Sequence, residues 1–310
     1  MDVRHLRYFL AIAEARSITA AANALGVAQP SLSQHVKRME AELGVQLVER
    51  SSRGTLLTEE GELLVEHARK ICESLDLCLH EMRELGGHIR GRVSFGMPPS
   101  CSMVMSVPLA ETVRLELPDV RLRAIEAMSG YLKNWLQDGT VELCFLYDLD
   151  EVGHFRATHV LDEELCFYAA PDAWPFDTPP GTDVPLKAME ALDMVLPSSE
   201  LGLGRLIANF CIQHGVRLNV VVEMDAMTQI KELVARGSGY TIFAPVAAQD
   251  YVARGELVRA RIVDPVMTRP VHLVNNPARV MSRASRAVEQ VTLKVARELV
   301  SRGIWEGTLV

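Results

Sequence analysis

The segment Ser17–Gly44 reads SITAAANALGVAQPSLSQHVKRMEAELG and has the pattern of two helices joined by a short turn. Ser17 or Thr19 can cap the alanine-rich first helix, and Gly26 can end it in a left-handed conformation. Pro30 suits the first position of the second helix, because proline lacks an N–H that would have no partner there. A short helix, a tight turn and a second helix, in this order, predict a helix-turn-helix.

The second of these helices has two different faces. Apolar side chains repeat at helical spacing on one face and are predicted to pack inward: Leu32, Val36, Met39 and Leu43. The other face carries short hydroxyl and amide side chains and then a basic pair. Ser and Gln side chains can bind base edges in a major groove, while Lys and Arg contact phosphates. An ordinary solvated helix face is the alternative interpretation.

The flanking sequence extends this pattern in both directions. Apolar residues at helical spacing predict a preceding helix that contains Leu6, Phe9, Leu10 and Ala13. Residues 45–61, VQLVERSSRGTLLTEEG, predict a β-hairpin wing with arginines on both sides of its turn, where they can reach phosphates or a minor groove. The candidate DNA-binding residues are Thr19, Gln29, Pro30, Ser31, Ser33, Gln34, Lys37, Arg38, Arg50 and Arg53.

The charge of the chain is unevenly distributed. Its net charge of −8 separates into +2 for residues 1–58 and −10 for the remainder. A local positive surface can bind phosphate while an acidic remainder limits nonspecific adhesion. This asymmetry is weak, so the prediction of DNA binding depends on the helix pattern.

The composition predicts a protein of the cytoplasm. Hydrophobic residues make up 48% of the 310 residues and charged residues 23%, as in soluble globular proteins. We find neither an apolar run of about 18 residues nor the continuous apolar segment of a secretory signal. Six cysteines are scattered without any C-x-x-C pair and indicate reduced, buried thiols. No metal site is predicted, since His154 and His159, the histidines closest to each other in sequence, have no cysteine near them.

The first sixty residues resemble a known family. The run SITAAANALGVAQPSLSQHVKRMEAELGVQLVER, followed by R-x-x-x-LTEEG, resembles the DNA-binding domain of LysR-type transcriptional regulators. The resemblance is gap-free and includes the alanine pair, Gln-Pro, the serine of the third helix, Leu-Gly and Leu-Thr-x-x-Gly. It implies an α/β protein with an N-terminal all-α winged helix-turn-helix, and a two-lobed periplasmic-binding-protein-like effector domain joined to it by a long linker helix.

The pattern of apolar residues within 58–85 predicts this linker helix. A heptad seam with steps of four and three contains Leu64, Ala68, Ile71, Leu75, Cys78, Met82 and Leu85. Such a seam is typical of a coiled coil, although a helix that lies on its own domain remains an alternative. Gly86 and Gly87 would end the helix and form a hinge. The resemblance implies that this helix joins two subunits in a homodimer, with homotetramers and contact with RNA polymerase as further expectations.

The remaining two-thirds of the chain alternates strands with helices, which predicts α/β lobes with largely parallel sheets. Three looser motifs in this region also resemble the LysR effector domain: residues 115–126, 136–143 and 234–240. The predicted domains are residues 1–58 (winged helix-turn-helix), 59–88 (linker and dimerisation helix) and 89–310 (effector-binding domain). Lobe I is predicted at about 91–160 plus 265–310, and lobe II at about 161–264.

A cleft between the lobes is predicted to bind a small metabolite, which would modulate DNA binding or activation of transcription. Hydroxyls and backbone N–H groups at helix starts suit a carboxylate or another small anion. Cap or loop chemistry is the alternative interpretation for each residue. The candidates, carried over by position, are Ser100, Cys101, Ser102, Met128, Ser129, Tyr147, Gly202, Leu203, Met227 and Thr228. The sequence indicates no cofactor besides this effector.

The sequence gives less support to other functions. The G-x-G at 202–204 lacks the third glycine and the acidic residue of a dinucleotide-binding enzyme. No catalytic motif is present, so no enzyme activity is predicted. A transport-type binding protein would explain the lobes but not the first sixty residues. A thiol switch of the peroxide-sensing kind is not expected, because Cys211 has no cysteine close to it in sequence.

Overall fold

The computed structural model describes residues 1–51, 54–83, 89–147, 153–200 and 202–310. The chain separates into two compact units. The first, here the reading unit, is Met1–Gly87 with Ala278–Val280, and the second, here the sensing unit, is His88–Pro277 with Met281–Val310. None of the described helices is both long enough and apolar enough to cross a membrane.

The reading unit contains the predicted helix-turn-helix. Its elements are α1 (Val3–Ala15), α2 (Ile18–Leu25), α3 (Gln29–Leu43), the antiparallel hairpin β1 (Val48–Ser51) and β2 (Gly54–Leu57), and α4 (Glu59–Arg83). The Ser17 hydroxyl accepts a hydrogen bond from the Ala20 N–H and caps α2. Gly26 ends α2 with a φ of 66°, a conformation that glycine adopts without strain.

The inward face of α3 differs from its prediction at one position. Leu32, Val36 and Met39 are buried, but Leu43 is 41% exposed. Leu43 is the last residue of α3, and the chain turns away at Gly44 before the core can cover it.

The linker helix α4 departs further from the predicted seam. Ala68 is completely buried and packs with Val65 and Cys72 against α1, so this part of the helix lies on its own domain. Ile71 and Met82 are exposed, as the seam requires. The difference arises because one side of α4 packs on α1 while a second apolar side is exposed. The apolar residues that contact α1 interrupt a simple heptad. Leu85, Gly86 and Gly87 lie outside the described residues.

Lobe I of the sensing unit is built on a six-stranded sheet in the order β14-β6-β13-β5-β3-β4. The strands are β3 (Gly91–Met97), β4 (Val120–Glu126), β5 (Leu143–Leu146), β6 (Arg156–Glu164), β13 (Thr268–Asn275) and β14 (Thr308–Leu309). Helices α5 (Pro99–Glu116) and α10 (Arg283–Ser301) pack on one face of the sheet, and α6 (Ser129–Asp138) packs on the other.

Lobe II contains two smaller groups of strands. β7 (Cys166–Ala169), β8 (Val184–Pro185), β11 (Thr241–Phe243) and β12 (Val258–Val263) form one, in the order β11-β7-β12-β8, while β9 (Asp193–Leu196) pairs with β10 (Asn219–Glu223). The helices are α7 (Gly202–Gln213), α8 (Met227–Ala235) and α9 (Pro245–Ala253), with short 3-10 turns at Pro171–Ala173 and Leu186–Met189.

The sheets are mixed, which corrects the expectation of largely parallel strands. β3 runs parallel to β4 and β5, but β13 is antiparallel to both of its neighbours, β5 and β6. The lobes are joined twice by consecutive strands, from β6 into β7 and from β12 into β13. The sheet of lobe I therefore includes residues 161–164, which the sequence analysis assigns to lobe II.

Candidate functional site

Seven of the ten predicted DNA-binding residues lie on one side of α3. Gln29, Pro30, Ser31, Gln34, Lys37 and Arg38 are exposed, Ser33 is half-buried, and Thr19 is exposed on α2. No described side chain caps the N-terminus of α3, and its first turn carries no acidic residue. Its N–H groups and positive dipole end therefore remain available to an anionic group. Arg53 lies outside the described residues, and of Arg50 only its place in β1 is described.

The sequence did not predict a group of aromatic rings on the inner side of α3. The His35 ring lies 4.7 Å from the His5 ring and 5.3 Å from the Tyr8 ring, both on α1. Burial lowers the pKa of His35, and the neighbouring His5 and Arg38 lower it further. Protonation of His35 therefore opposes the packing of α3 on α1.

A cavity lies between the two lobes of the sensing unit. The space not filled by protein atoms is about 440 Å³, including the part that is open to solvent. Most of its lining is apolar, and its polar groups lie on lobe I. The lining residues are Pro98, Pro99, Ser100, Met128, Ser129, Tyr147, Pro197, Leu203, Met224, Ala226, Met227, Ile230, Phe243 and Arg269.

Six of the ten predicted effector-binding residues line this cavity, namely Ser100, Met128, Ser129, Tyr147, Leu203 and Met227. Cys101 and Ser102 do not, because residues 100–102 belong to the first turns of α5 instead of a loop. Successive helical side chains point about 100° apart. Cys101 thus faces the core, while the Ser102 hydroxyl lies 2.8 Å from that of Ser106.

Gly202 and Thr228 also lie outside the cavity lining. Thr228 is the second residue of α8 and is exposed to solvent. Gly202 begins α7 beside Ser129, and a Cβ atom on it would lie 3.5 Å from the Ser129 hydroxyl oxygen. Gly202 therefore brings the start of α7 close to lobe I without lining the cavity itself.

Eight of the residues that line the cavity were not predicted from the sequence. Most are apolar residues of loops and helices whose meeting depends on the tertiary fold. Arg269 gave a local signal, since it lies in the apolar strand β13 and a buried charge requires a partner. The missed residues are Pro98, Pro99, Pro197, Met224, Ala226, Ile230, Phe243 and Arg269.

Arg269 belongs to a buried polar cluster at the wall of the cavity. Its guanidinium and the Glu163 carboxylate are each 1% exposed and form an ion pair. Nε of Arg269 donates to Oε2 of Glu163 at 2.9 Å, and Nη2 donates to the same oxygen and to the Ser100 hydroxyl. The indole N–H of Trp305 donates to Oε1 of Glu163 at 2.7 Å. Both oxygens of Glu163 therefore have partners within the fold.

The neighbouring groups of this cluster stay protonated at neutral pH. The Tyr147 hydroxyl lies 2.7 Å from the Ser100 hydroxyl, and the guanidinium carbon of Arg269 lies 3.9 Å from the centre of the Tyr147 ring. Burial raises the pKa of Tyr147 well above its usual value and raises that of Cys101 to about 12. For Arg269, burial alone would lower the pKa, but the attraction of Glu163 outweighs it and the pKa is raised.

Two cysteines of lobe II are held in the thiol form. Burial raises the pKa values of Cys166 and Cys211 to about 11, so neither forms much of the reactive thiolate at neutral pH. Among the residues that the structure describes, no group of three or more His, Cys, Asp or Glu side chains is placed to hold a metal ion.

Comparison with known proteins identifies both units. Residues 3–62 match the model of the bacterial regulatory helix-turn-helix protein, lysR family, and residues 86–297 match the LysR substrate binding domain. The nitrogen assimilation regulatory protein nac of Klebsiella aerogenes is 29% identical over 97% of this chain and 96% of its own. The DNA-binding transcriptional dual regulator OxyR of Escherichia coli is 25% identical over 89% of this chain and 90% of its own.

Solved structures show the same fold. A hydrogen peroxide-bound OxyR mutant from Corynebacterium glutamicum has a TM-score of 0.61 and 26% identity, and covers 98% of this chain and 96% of its own. The two matching domain models together span most of the chain, in the order in which the two units occur. The chain therefore belongs to the LysR family of bacterial transcriptional regulators, and is a DNA-binding regulator with an effector-binding domain, not an enzyme.

Proposed function

We propose that this regulator binds promoter DNA as a homodimer through α3 and the β1–β2 wing, and that a small molecule held between the lobes of the sensing unit modulates this binding. The observation that carries the proposal is the interlobe cavity, which is lined by apolar side chains and a few convergent polar groups. Ligand sites of small molecules commonly have this composition. Apart from this ligand, we propose no cofactor.

The reading unit supports the DNA-binding half of the proposal. Ser33 and Gln34 are placed on α3 where they can meet base edges, and Lys37 and Arg38 where they can meet phosphates. A single reader of this size covers one half-site, and a dimer covers two. A regulator that reads the chromosome works in the cytoplasm, which is the compartment we propose.

The exposed apolar stripe on α4 supports dimerisation. Ile71, Cys78, Leu79 and Met82 are exposed in the single chain, with Leu75 half-buried between them. Covering such a stripe with a second copy removes apolar surface from water. Pairing of dimers into tetramers and contact with RNA polymerase are further expectations of the proposal.

A ligand can regulate DNA binding only if it favours one arrangement of the lobes over another. A coupling of about 1–3 kcal/mol would change DNA affinity roughly 5- to 150-fold. Genome-wide mapping of bound DNA would identify the operators, and the genes beside them would suggest ligands. Footprinting on those operators, with and without each ligand, then tests the proposal. A chain that protects no DNA, or protection that no candidate ligand changes, would contradict it.

A further inference from the structure

The two lobes of the sensing unit are joined by two adjacent segments of the chain. The chain crosses from β6 to β7 at Leu165 and returns from β12 to β13 through residues 264–267. The Leu165 N–H donates to the Met267 carbonyl at 2.8 Å, so the two crossings lie side by side. Hinges between lobes are commonly a few residues at the ends of strands, so these crossings leave the lobes free to rotate unless other contacts restrict them.

Two arginines of lobe II extend to lobe I beside these crossings. Arg259 and Arg261 are two residues apart on β12, so their side chains lie on the same face of the strand. Arg259 donates from Nη1 to Oε1 of Glu306 at 2.9 Å and from Nη2 to Oε2 at 3.1 Å. Nε of Arg261 donates to Oε2 of Glu164 at 2.9 Å. Both carboxylates belong to lobe I, because Glu164 ends β6 and Glu306 lies between α10 and β14.

The segment that carries Glu306 is fixed to lobe I on both sides. Before it, the Trp305 side chain is completely buried, and its indole N–H donates to Glu163. After it, the chain forms β14, which pairs with β6. The segment therefore cannot follow lobe II when the lobes rotate, so rotation has to stretch or break the bonds between Arg259 and Glu306.

The two ion pairs differ from the other contacts between the lobes in their response to salt. The Arg259 pair is bidentate, which is the geometry in which partly exposed ion pairs contribute to stability. The four side chains are between 37% and 53% exposed, so dissolved salt screens their charges. The helix α9 of lobe II also packs on α5 of lobe I, through apolar residues whose attraction does not depend on charge.

We propose that the pairs Arg259–Glu306 and Arg261–Glu164, here the hinge clamp, hold the lobes in one arrangement and set the free-energy difference that a ligand must overcome to favour another. A ligand shifts such an equilibrium only by its difference in affinity for the two arrangements, so a stronger clamp requires a larger difference. Because salt weakens the clamp, ionic strength would tune the response of the regulator. Arg261 also lies 3.7 Å from Asp183 of lobe II, so it can leave Glu164 at a lower cost than Arg259 can leave Glu306.

Electron paramagnetic resonance can measure distances between the lobes in the ligand-free full chain. Spin labels are attached at Gln137→Cys on α6 of lobe I and Gln229→Cys on α8 of lobe II, two exposed positions, and the exposed Cys78 is changed to serine. An excess of unlabelled chain leaves one labelled chain in each assembly. One distance should dominate at low salt, as the clamp requires.

Neutralising the clamp should release a second arrangement. In the double variant Glu306→Gln with Glu164→Gln, the ratio of the second distance to the first should rise about two- to fivefold for each pair that is lost. An unchanged distance distribution in this variant would overturn the proposal. In a cycle of Arg259→Gln, Glu306→Gln and both together, the effects should not add, because either change alone breaks the pair. Additive effects would contradict the pairing.

The matched control is Glu256→Gln. It removes a second partly exposed, bidentate pair, between Arg254 and Glu256, but both of these residues belong to lobe II. The distances between the lobes should therefore remain those of the wild type. A change as large as that of Glu306→Gln would mean that the loss of any surface carboxylate loosens the unit, and would refute the assignment.

Salt provides an independent test. Raising NaCl from about 0.1 M to about 1 M shortens the screening length from about 10 Å to about 3 Å, so the wild-type distribution should move toward that of the double variant. The double variant should hardly respond. A salt response as large in the double variant as in the wild type would assign the effect to other charges and overturn the proposal. These distances do not depend on DNA, so such a failure would leave the proposed function standing.

Discussion

The α3 face of the reading unit and the interlobe cavity of the sensing unit differ in exposure and in charge, so they favour different kinds of ligand. The α3 face is exposed, continuous along one helix, and ends in the adjacent cations Lys37 and Arg38. The cavity is only partly open to solvent, is assembled from distant segments, and contains one charge that is already balanced by Glu163. An exposed cationic face suits a long polyanion, and such binding weakens as the salt concentration rises. A concave, mostly apolar cavity instead selects a ligand by its shape and by a few polar contacts.

The largest expected effect comes from breaking the buried ion pair of the cavity. Glu163→Gln would leave the Arg269 guanidinium without its counter-charge, and should lower the free energy of unfolding of the sensing unit by about 3–5 kcal/mol. All three tryptophans (Trp135, Trp174 and Trp305) lie in this unit, so their fluorescence during urea unfolding reports on it alone.

The control replaces both charges together. Glu163→Leu with Arg269→Met removes the whole pair, and should recover most of the stability that Glu163→Gln loses. A loss below about 1 kcal/mol in Glu163→Gln would mean that water reaches the pair and that the cavity wall is not as enclosed as its burial indicates.

The next effect concerns the exposed stripe of α4. Ile71→Asp with Met82→Asp would place charges where a second copy is expected to pack, so light scattering should show a smaller assembly. Arg69→Asp is the control, since Arg69 is exposed about 200° around the helix from Ile71. An unchanged mass in the double variant would assign the dimer contact to another surface.

The reading unit was largely predictable because its signals are local. Ser17, Gly26 and Pro30 mark helix ends within a few residues of one another, and Leu32, Val36 and Met39 repeat with the helical period. The positions that differ from their prediction depend on tertiary contacts. Ala68 fits a heptad by spacing, yet its small side chain is completely buried against α1.

The cavity was only partly predictable because its walls meet through the fold. Ser129 comes after β4, and Met227 after β10, about a hundred residues later in the chain. Gly96 allows α6 to lie close to β3, since a Cβ atom there would lie 2.5 Å from the Leu132 side chain. Nothing in the local sequence pairs Arg269 with Glu163, whose contact spans 106 residues.

A smaller effect separates base contacts from phosphate contacts on α3. Gln34→Ala should reduce preference for the operator over other DNA by about 1–3 kcal/mol, since one base contact is lost. Lys37→Ala should weaken all DNA alike and reduce the slope of log affinity against log salt by about one. Binding titrations with operator and unrelated DNA at several salt concentrations distinguish these outcomes. If Gln34→Ala behaved like Lys37→Ala, Gln34 would contact the DNA backbone.

The smallest effect is a dependence of the stability of the reading unit on pH. Burial, His5 and Arg38 hold the pKa of His35 below its unfolded value of about 6.5, with Asp2 acting in the opposite direction. The unfolded chain therefore binds a proton first, and stability is lost as the pH falls from about 6.5 through the folded pKa of His35. In the cavity, the raised pKa values of Tyr147 and Cys101 leave both groups protonated throughout this range. After correction for the change of the intrinsic exchange rate with pH, the amides of α1 and α3 should be less protected from hydrogen exchange at about pH 5.5 than at neutral pH. His35→Gln should reduce this loss of protection. The same acid sensitivity in His35→Gln would attribute it to another group.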